Sequence, residues 1–209
     1  RSLNALEALR CGSCIRLTKP VKPPTSSTAT IKHHGFFGDH LQTDIIYVRI
    51  LTGKAIPVLG VCCVNTNFHA ATAIHDRCPE TILNALKQIW YGPFGLPMSI
   101  TPDADTAYMG VCQDWHVNMG IDYRMIPTEE AWKIGKIGRR NALLRLLAER
   151  LIDQHGVSTV EGLQDVLVAC IFSLNSSTYS HGRSPYQAVF GRIPRPVGDL
   201  LSDNRSEER

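Results

Sequence analysis

Two aspartates of this 209-residue chain stand where a carboxylate is costly. Asp44 lies inside the run LQTDIIYVRI, between Thr43 and Ile45, and Asp103 follows the short run MSIT directly, in TPDADTAY. An acid within an apolar strand has to be hydrogen-bonded, paired or turned toward a metal ion. A hydrogen bond at a strand edge is the plain account of either one alone. Together, two carboxylates offer the hard oxygen ligands that Mg2+ prefers. Cys11 and Cys14, in CGSC, form the one spaced cysteine pair and could contribute to a zinc site. A structural zinc site needs four ligands, and His33 and His34 are the histidines nearest in sequence, across a flexible linker.

The elements that must position these residues can be read from periodicity. LQTDIIYVRI and IPVLGVCCV have the length and β-branched content of strands, and FHAATAI is a third. PETILNALKQIW carries Pro79 at a helix start and apolar residues at 82, 83, 86 and 89–90, which is helical spacing. MSIT is a short strand, residues 106–119 form a second helix, and IDYRMI is a further strand. From about 133 to 154, apolar residues 137, 143, 144, 147 and 151 form one face, leaving Arg139, Arg140, Arg145 and Arg150 largely outside it. A last helix covers roughly 159–174. The order implies an α/β sheet with an antiparallel hairpin portion and helices against its faces.

Three zones follow. Residues 1–34 are basic and include the linker-like KPVKPPTSSTAT; residues 35–180 hold the periodic segments; residues 181–209 read as a loop-like extension and polar tail. Apolar content of 44% and charged content of 20% are those of a globular chain, and the net charge of +3 is too small to argue for nucleic acid by itself. Seven widely spread cysteines do not make a disulfide framework, so a reducing, intracellular compartment is expected. Cys62 and Cys63 read as ordinary strand residues, at least one of them buried. No apolar run approaches the roughly 20 residues that span a bilayer, and no secretory signal is visible. The sequons at Asn175 and Asn204 are therefore expected to be inert, and a chain beginning at Arg1 is expected to be a piece of something longer.

In order along the chain, several stretches resemble the catalytic core of retroelement integrases, the DDE family with an RNase H-like fold. CGSC followed by KPVKPP is similar to the end of the zinc-binding module that precedes such cores. Asp44 matches the first acid. WYGPFGLPMSITPDADTAY resembles the family's Trp, then Phe-Gly-x-Pro, then the second acid at Asp103 and an aromatic at Tyr108. GIDYRMIP resembles the strand leading to the catalytic helix, and HGRSPYQAVFGRIPRP the Gly-x-Ser-Pro…Phe-Gly-x-x-Pro segment that closes many retrotransposon cores.

The resemblance implies a mixed five-stranded sheet flanked by helices, and strand transfer of element DNA into target DNA. Such transfer is an in-line displacement at a phosphodiester, assisted by two Mg2+ or Mn2+ ions about 3.5–4 Å apart and held by three acids. The third acid should be a Glu in a stretch like Gly-Lys-Val-Glu-Arg-x-Asn. This chain reads Gly135-Lys136-Ile137-Gly138-Arg139-Arg140-Asn141, so Gly138 fills the slot, 35 residues after Asp103. A shift of one residue puts Arg139 there. No carboxylate lies between Glu130 and Glu149, which leaves Asp105, Glu129 and Glu130 as the acids that could substitute. Strand transfer is accordingly expected to be lost or severely reduced.

Further expectations follow from the same resemblance. Lys136, Arg139 and Arg140, with Lys133 and Arg145 nearby, are candidate phosphate contacts; a solvated helix face is the plainer account of them. Asn141 fits the pattern as a polar residue beside the metal site. Implied partners are DNA, other segments of a Pol polyprotein and further copies of the chain, acting in the nucleus at the point of integration. The upstream zinc module is expected to be truncated. The competing reading is a non-catalytic DNA-binding or assembly module derived from an integrase; an active nuclease or transposase recruiting another acid is a third.

Overall fold

The computed structural model describes residues 35–103, 106–126, 135–177 and 182–195. The first three strands, β1 (His40–Arg49), β2 (Ala55–Cys63) and β3 (His69–Ala73), form an antiparallel meander. Gly53, at φ +82°, turns β1 into β2, and Asn67, at φ +58°, turns β2 into β3; glycine and asparagine tolerate this left-handed region best. β4 (Ser99–Pro102) and β5 (Asp122–Tyr123) then add in parallel on the other side of β1, giving the order β3-β2-β1-β4-β5. The expected mixed five-stranded sheet is present. β5 is much shorter than IDYRMI suggested, since ladder bonds beyond Tyr123 reduce to Arg124 N–H on Ile100 O.

Strand alternation divides the side chains between two cores. On one face Leu41, Leu59, Val61 and Cys63 pack with α1 (Pro79–Leu86) and α2 (Val111–Asn118). Helix α1 opens with Pro79 in its first turn, as its sequence predicts, and continues through a π-helical stretch, Lys87–Tyr91, and a last turn, Gly92–Phe94. The widening is where Pro93 removes a backbone donor and its ring would crowd a preceding carbonyl. The helix expected over 106–119 is interrupted: a 3-10 turn at Thr106–Tyr108 is separated from α2 by Gly110, at φ +62°.

On the opposite face Ile46, Val48, Ile50, Ile56 and Val58 pack against α3 (Gly135–His155) and α4 (Val160–Ser176). Thr159 caps α4, its hydroxyl accepting from Gly162 N–H at 3.1 Å. The extension is not all loop. Pro185–Phe190 forms α5, opened by a reciprocal capping box between Ser184 and Gln187 and closed by Gly191 at φ +73°. Tyr186 and Phe190 of α5 reach Phe68, and Tyr186 also meets Phe172 of α4, which ties the segment to the body of the domain. Both Cys62 and Cys63 are buried, and burial pushes the Cys62 thiol up to about 12.

Candidate metal and nucleic-acid site

Along β1 and the residue after it, the side chains at 42, 44, 46, 48 and 50 face α3. The last three are apolar; Gln42 and Asp44 are not, and the polar end lies under the first turns of α3. Asp103 is the first residue past β4. Its N–H donates to Thr43 O at 3.1 Å, extending the parallel ladder by one step beyond the Thr43–Pro102 pair. The next position on β1 is Asp44, so backbone pairing alone brings the two acids side by side. Thr43 is in turn fixed from the other face, its hydroxyl donating to Gly60 O at 2.9 Å and meeting Tyr108 Oη at 3.2 Å. Tyr123 Oη–H donates to Tyr108 O at 2.5 Å.

Burial raises the Asp44 carboxyl above its ordinary range, and the charge of Asp103 adds to this; a bond from Asn141 and the charge of Arg145 act in the opposite sense. Asn141 Nδ2–H donates to Asp44 Oδ2 at 3.0 Å. A desolvated carboxylate beside a second carboxylate is a site that a hard divalent cation relieves, and all the donors are oxygen. Asp44 and Asp103 are the oxygen ligands such an ion would take, with water for the rest of its shell. Among the described residues no three His, Cys, Asp or Glu side chains come together to hold a metal. Asp105, Glu129, Glu130, Cys11 and Cys14 lie outside the described residues.

Helix α3 carries Gly138, Asn141 and Arg145 at spacings of three and four, one line along its surface. Asn141 touches Asp44 and Arg145 influences it, so Gly138 sits one turn toward the helix start on the line that runs past the acids. Among the described residues, a Cβ placed on Gly138 meets no heavy atom within 4 Å, so a side chain there has room beside them.

The expected basic face is only partly present. Arg139 is exposed. Lys136 is half-buried and donates its ammonium to Val64 O at the end of β2. Arg140 is 3% exposed and lies inside, donating Nη2–H to Asn175 Oδ1 at 2.9 Å, so its placement among outward phosphate contacts is corrected. The apolar pattern misplaced the inward face by counting Leu143, which is 37% exposed, and omitting 140 and 141. Asn175 supplies one acceptor to this buried guanidinium.

Asn175 itself is a residue that sequence reading passed over except as a sequon. Its Oδ1 accepts from His69 N–H at 3.0 Å and its Nδ2–H donates to His69 O at 2.8 Å, so the amide pairs with β3 as a strand would. Fully buried, it presents no surface for glycosylation. His69 is buried next to it; burial first, then the charge of Arg140, push its ring down to about 3, with Asn141 opposing, so the ring is neutral. Gln42 was also missed: its Oε1 accepts from Ile137 N–H at 3.2 Å and satisfies a donor in the first turn of α3. Neither residue type announces such a role, because both roles depend on a segment about 100 residues away in sequence.

Solved structures similar to this one include retroviral integrases. The simian T-cell lymphotropic virus intasome, solved in complex with PP2A regulatory subunit B56 gamma, matches at TM-score 0.70 and 16% identity, over 94% of this chain and 69% of that one. The HTLV-2 integrase catalytic core domain, in complex with magnesium in its trimeric form, matches at 0.62 and 13% identity, over 74% of this chain and 97% of that one. The BIV integrase catalytic core domain matches at 0.59 and 13% identity, over 74% and 95%. The chain thus has the RNase H-like fold of retroviral integrase catalytic cores. No family model and no curated protein matches the sequence. Among the described residues no helix is long and apolar enough to cross a membrane.

Proposed function

We propose that this chain is the catalytic core of a retroelement integrase whose third acid is missing. It binds DNA and one divalent cation, and has lost, wholly or nearly so, the ability to transfer strands. The observation that carries this is the meeting of Asp44 and Asp103 on adjacent parallel strands, with Asn141 on Asp44 and an open Gly138 one turn away. Asp44 and Asp103 would hold Mg2+ or Mn2+, which when bound lends positive charge to the oxygens of a phosphodiester. Asn141 orients Asp44, and Arg139 and Arg145 attract the DNA backbone without reading sequence. The likeness to an intasome and to a magnesium-bound core supports DNA and a divalent cation as ligands, and the dimeric and trimeric HTLV-2 forms support self-association.

The same reading takes residues 1–34 as the remnant of a zinc module plus linker, with Cys11 and Cys14 as two of its ligands. Residues 35–180 are the core, extended by α5, and the parent is a Pol polyprotein acting in the nucleus. The second reading, a DNA-binding or assembly module with no chemistry, is favoured by the same glycine at 138.

Strand transfer by the chain as given, by Gly138→Glu and by Gly138→Glu with Asp44→Asn decides between them. Each is assayed on a labelled DNA end with Mg2+ and then Mn2+. Activity is expected from Gly138→Glu alone. Asp44-dependent transfer by the unaltered chain would overturn the proposed inactivity. Salt-dependent DNA binding with no transfer by any of the three would favour the second reading.

A further inference from the structure

Gly60 sits in the middle of β2, directly opposite Asp44 in the ladder. A glycine inside a strand weakens it, and this one is not explained by backbone conformation, since it is absent from the positive-φ glycines. Its neighbours on the same face of β2 are Val58 and Cys62, both fully buried, so a side chain would ordinarily be welcome there. What occupies the space is Asn141. The three atoms nearest to a Cβ built on Gly60 all belong to that side chain: Oδ1 would lie well under 3.0 Å away, Cγ at 3.1 Å and Nδ2 at 3.2 Å.

Neither partner can easily withdraw. The Gly60 carbonyl accepts from the Thr43 hydroxyl, and Thr43 is buried against Tyr108. Asn141 is 1% exposed, on a helix turn also tied down by Lys136 to Val64 O, by Gln42 to Ile137 N–H and by Arg140 to Asn175. We infer that Gly60 is a positioning residue: its missing side chain is the recess in which Asn141 lies, and from which Asn141 holds Asp44 Oδ2. The bond at 3.0 Å exists because β2 yields the space opposite the acid. The consequence for cation binding rests on the proposed function; the recess itself does not.

The test uses four versions of the 209-residue chain: unaltered, Gly60→Ala, Asn141→Ala and the double variant. Two readouts are taken, the NMR signal of the Asn141 side-chain amide in metal-free protein and Mn2+ affinity by EPR. Thermal midpoints are recorded for all four. Gly60→Ala is expected to move the Asn141 amide signal away from its carboxylate-bonded position and to weaken Mn2+ binding about 10-fold, the scale for an orienting partner of a metal ligand. The penalty of Gly60→Ala on the midpoint is expected to vanish in the Asn141→Ala background, because the clashing atoms are gone. An unmoved amide signal, or a Gly60→Ala penalty that persists without Asn141, overturns the inference. If Gly60→Ala alone does not fold, the double variant still must fold as Asn141→Ala does. If the unaltered chain binds no Mn2+, the cation reading falls, while the amide signal and the midpoints still decide the recess.

Discussion

The two halves of α3 pack on the same sheet in different ways. Its second half buries Leu144, Ala148 and Ile152 against Ile46, Val48 and Ile50, an apolar seam with nothing to satisfy but volume. Its first half buries Arg140 and Asn141 beside Ile137, over Gln42, Asp44, Gly60 and Cys62, and these polar groups are tied to partners outside the helix: Asn141 and the Ile137 N–H to β1, Arg140 to α4. The apolar half anchors the helix by filling volume and loses stability when that volume is removed. The polar half fixes direction: it decides which line of the helix passes the two acids. A helix that carries a site needs both, since burial alone leaves rotation about the axis weakly specified.

That contrast can be broken at several points. The largest expected effect is on chemistry rather than stability: Gly138→Glu should take strand transfer from undetectable to measurable, with loss again on Asp44→Asn. On stability, Leu144→Ala in the apolar half should cost about 2–5 kcal/mol by chemical denaturation, the range for a fully buried leucine. Next comes His69, which lies under the polar half. Its ring is held at about 3, below the ordinary value near 6.5, so between these pH values the unfolded chain takes up a proton that the native state refuses. The stability this ring contributes is therefore full above pH 6.5 and is lost as pH falls toward 3, at no more than about 1.4 kcal/mol per pH unit. His69→Phe should flatten that acid limb, and denaturation of both proteins at pH 7 and pH 5 measures the difference.

Two smaller effects sharpen the comparison. Arg140→Met keeps volume while removing a buried charge, and should be neutral or stabilising by roughly 0–2 kcal/mol, in contrast to Leu144→Ala. A large loss would mean that the guanidinium is a mainstay of packing rather than of orientation. Gly138→Ala fills open space on an exposed helix position and should stabilise by up to about 1 kcal/mol, or about 2–4 °C in Tm. Unlike Gly138→Glu it should leave strand transfer absent, which separates helix repair from the restored acid.

Much of the scaffold was legible along the chain because its signals are local. The runs that become β1 and β2 are β-branched and long enough to be strands, Pro79 marks a helix start, and the spacing of Ile137, Leu144 and Leu151 marks α3. Where a local signal was thin, the reading slipped. Gly110 splits the expected 106–119 helix, IDYRMI keeps only two strand residues, and α5 was hidden in a segment dominated by Gly, Pro and Arg, although Ser184 and Gln187 form a capping box there.

The sequence by itself determined which acids exist: Asp44 within a strand, Asp103 just after one, and a glycine at 138 with no acid from there to Glu149. Composition cannot be repaired by folding. Only the tertiary structure decided what surrounds those acids. It turned Arg140 inward rather than out, set Asn141 into the space left by Gly60, and made Asn175 a surrogate strand partner for His69. The physical reason is range: periodicity reports which face of a segment is apolar, but a buried polar group is stable only if a partner arrives from elsewhere. Those partners come from residues 35 to 106 positions away.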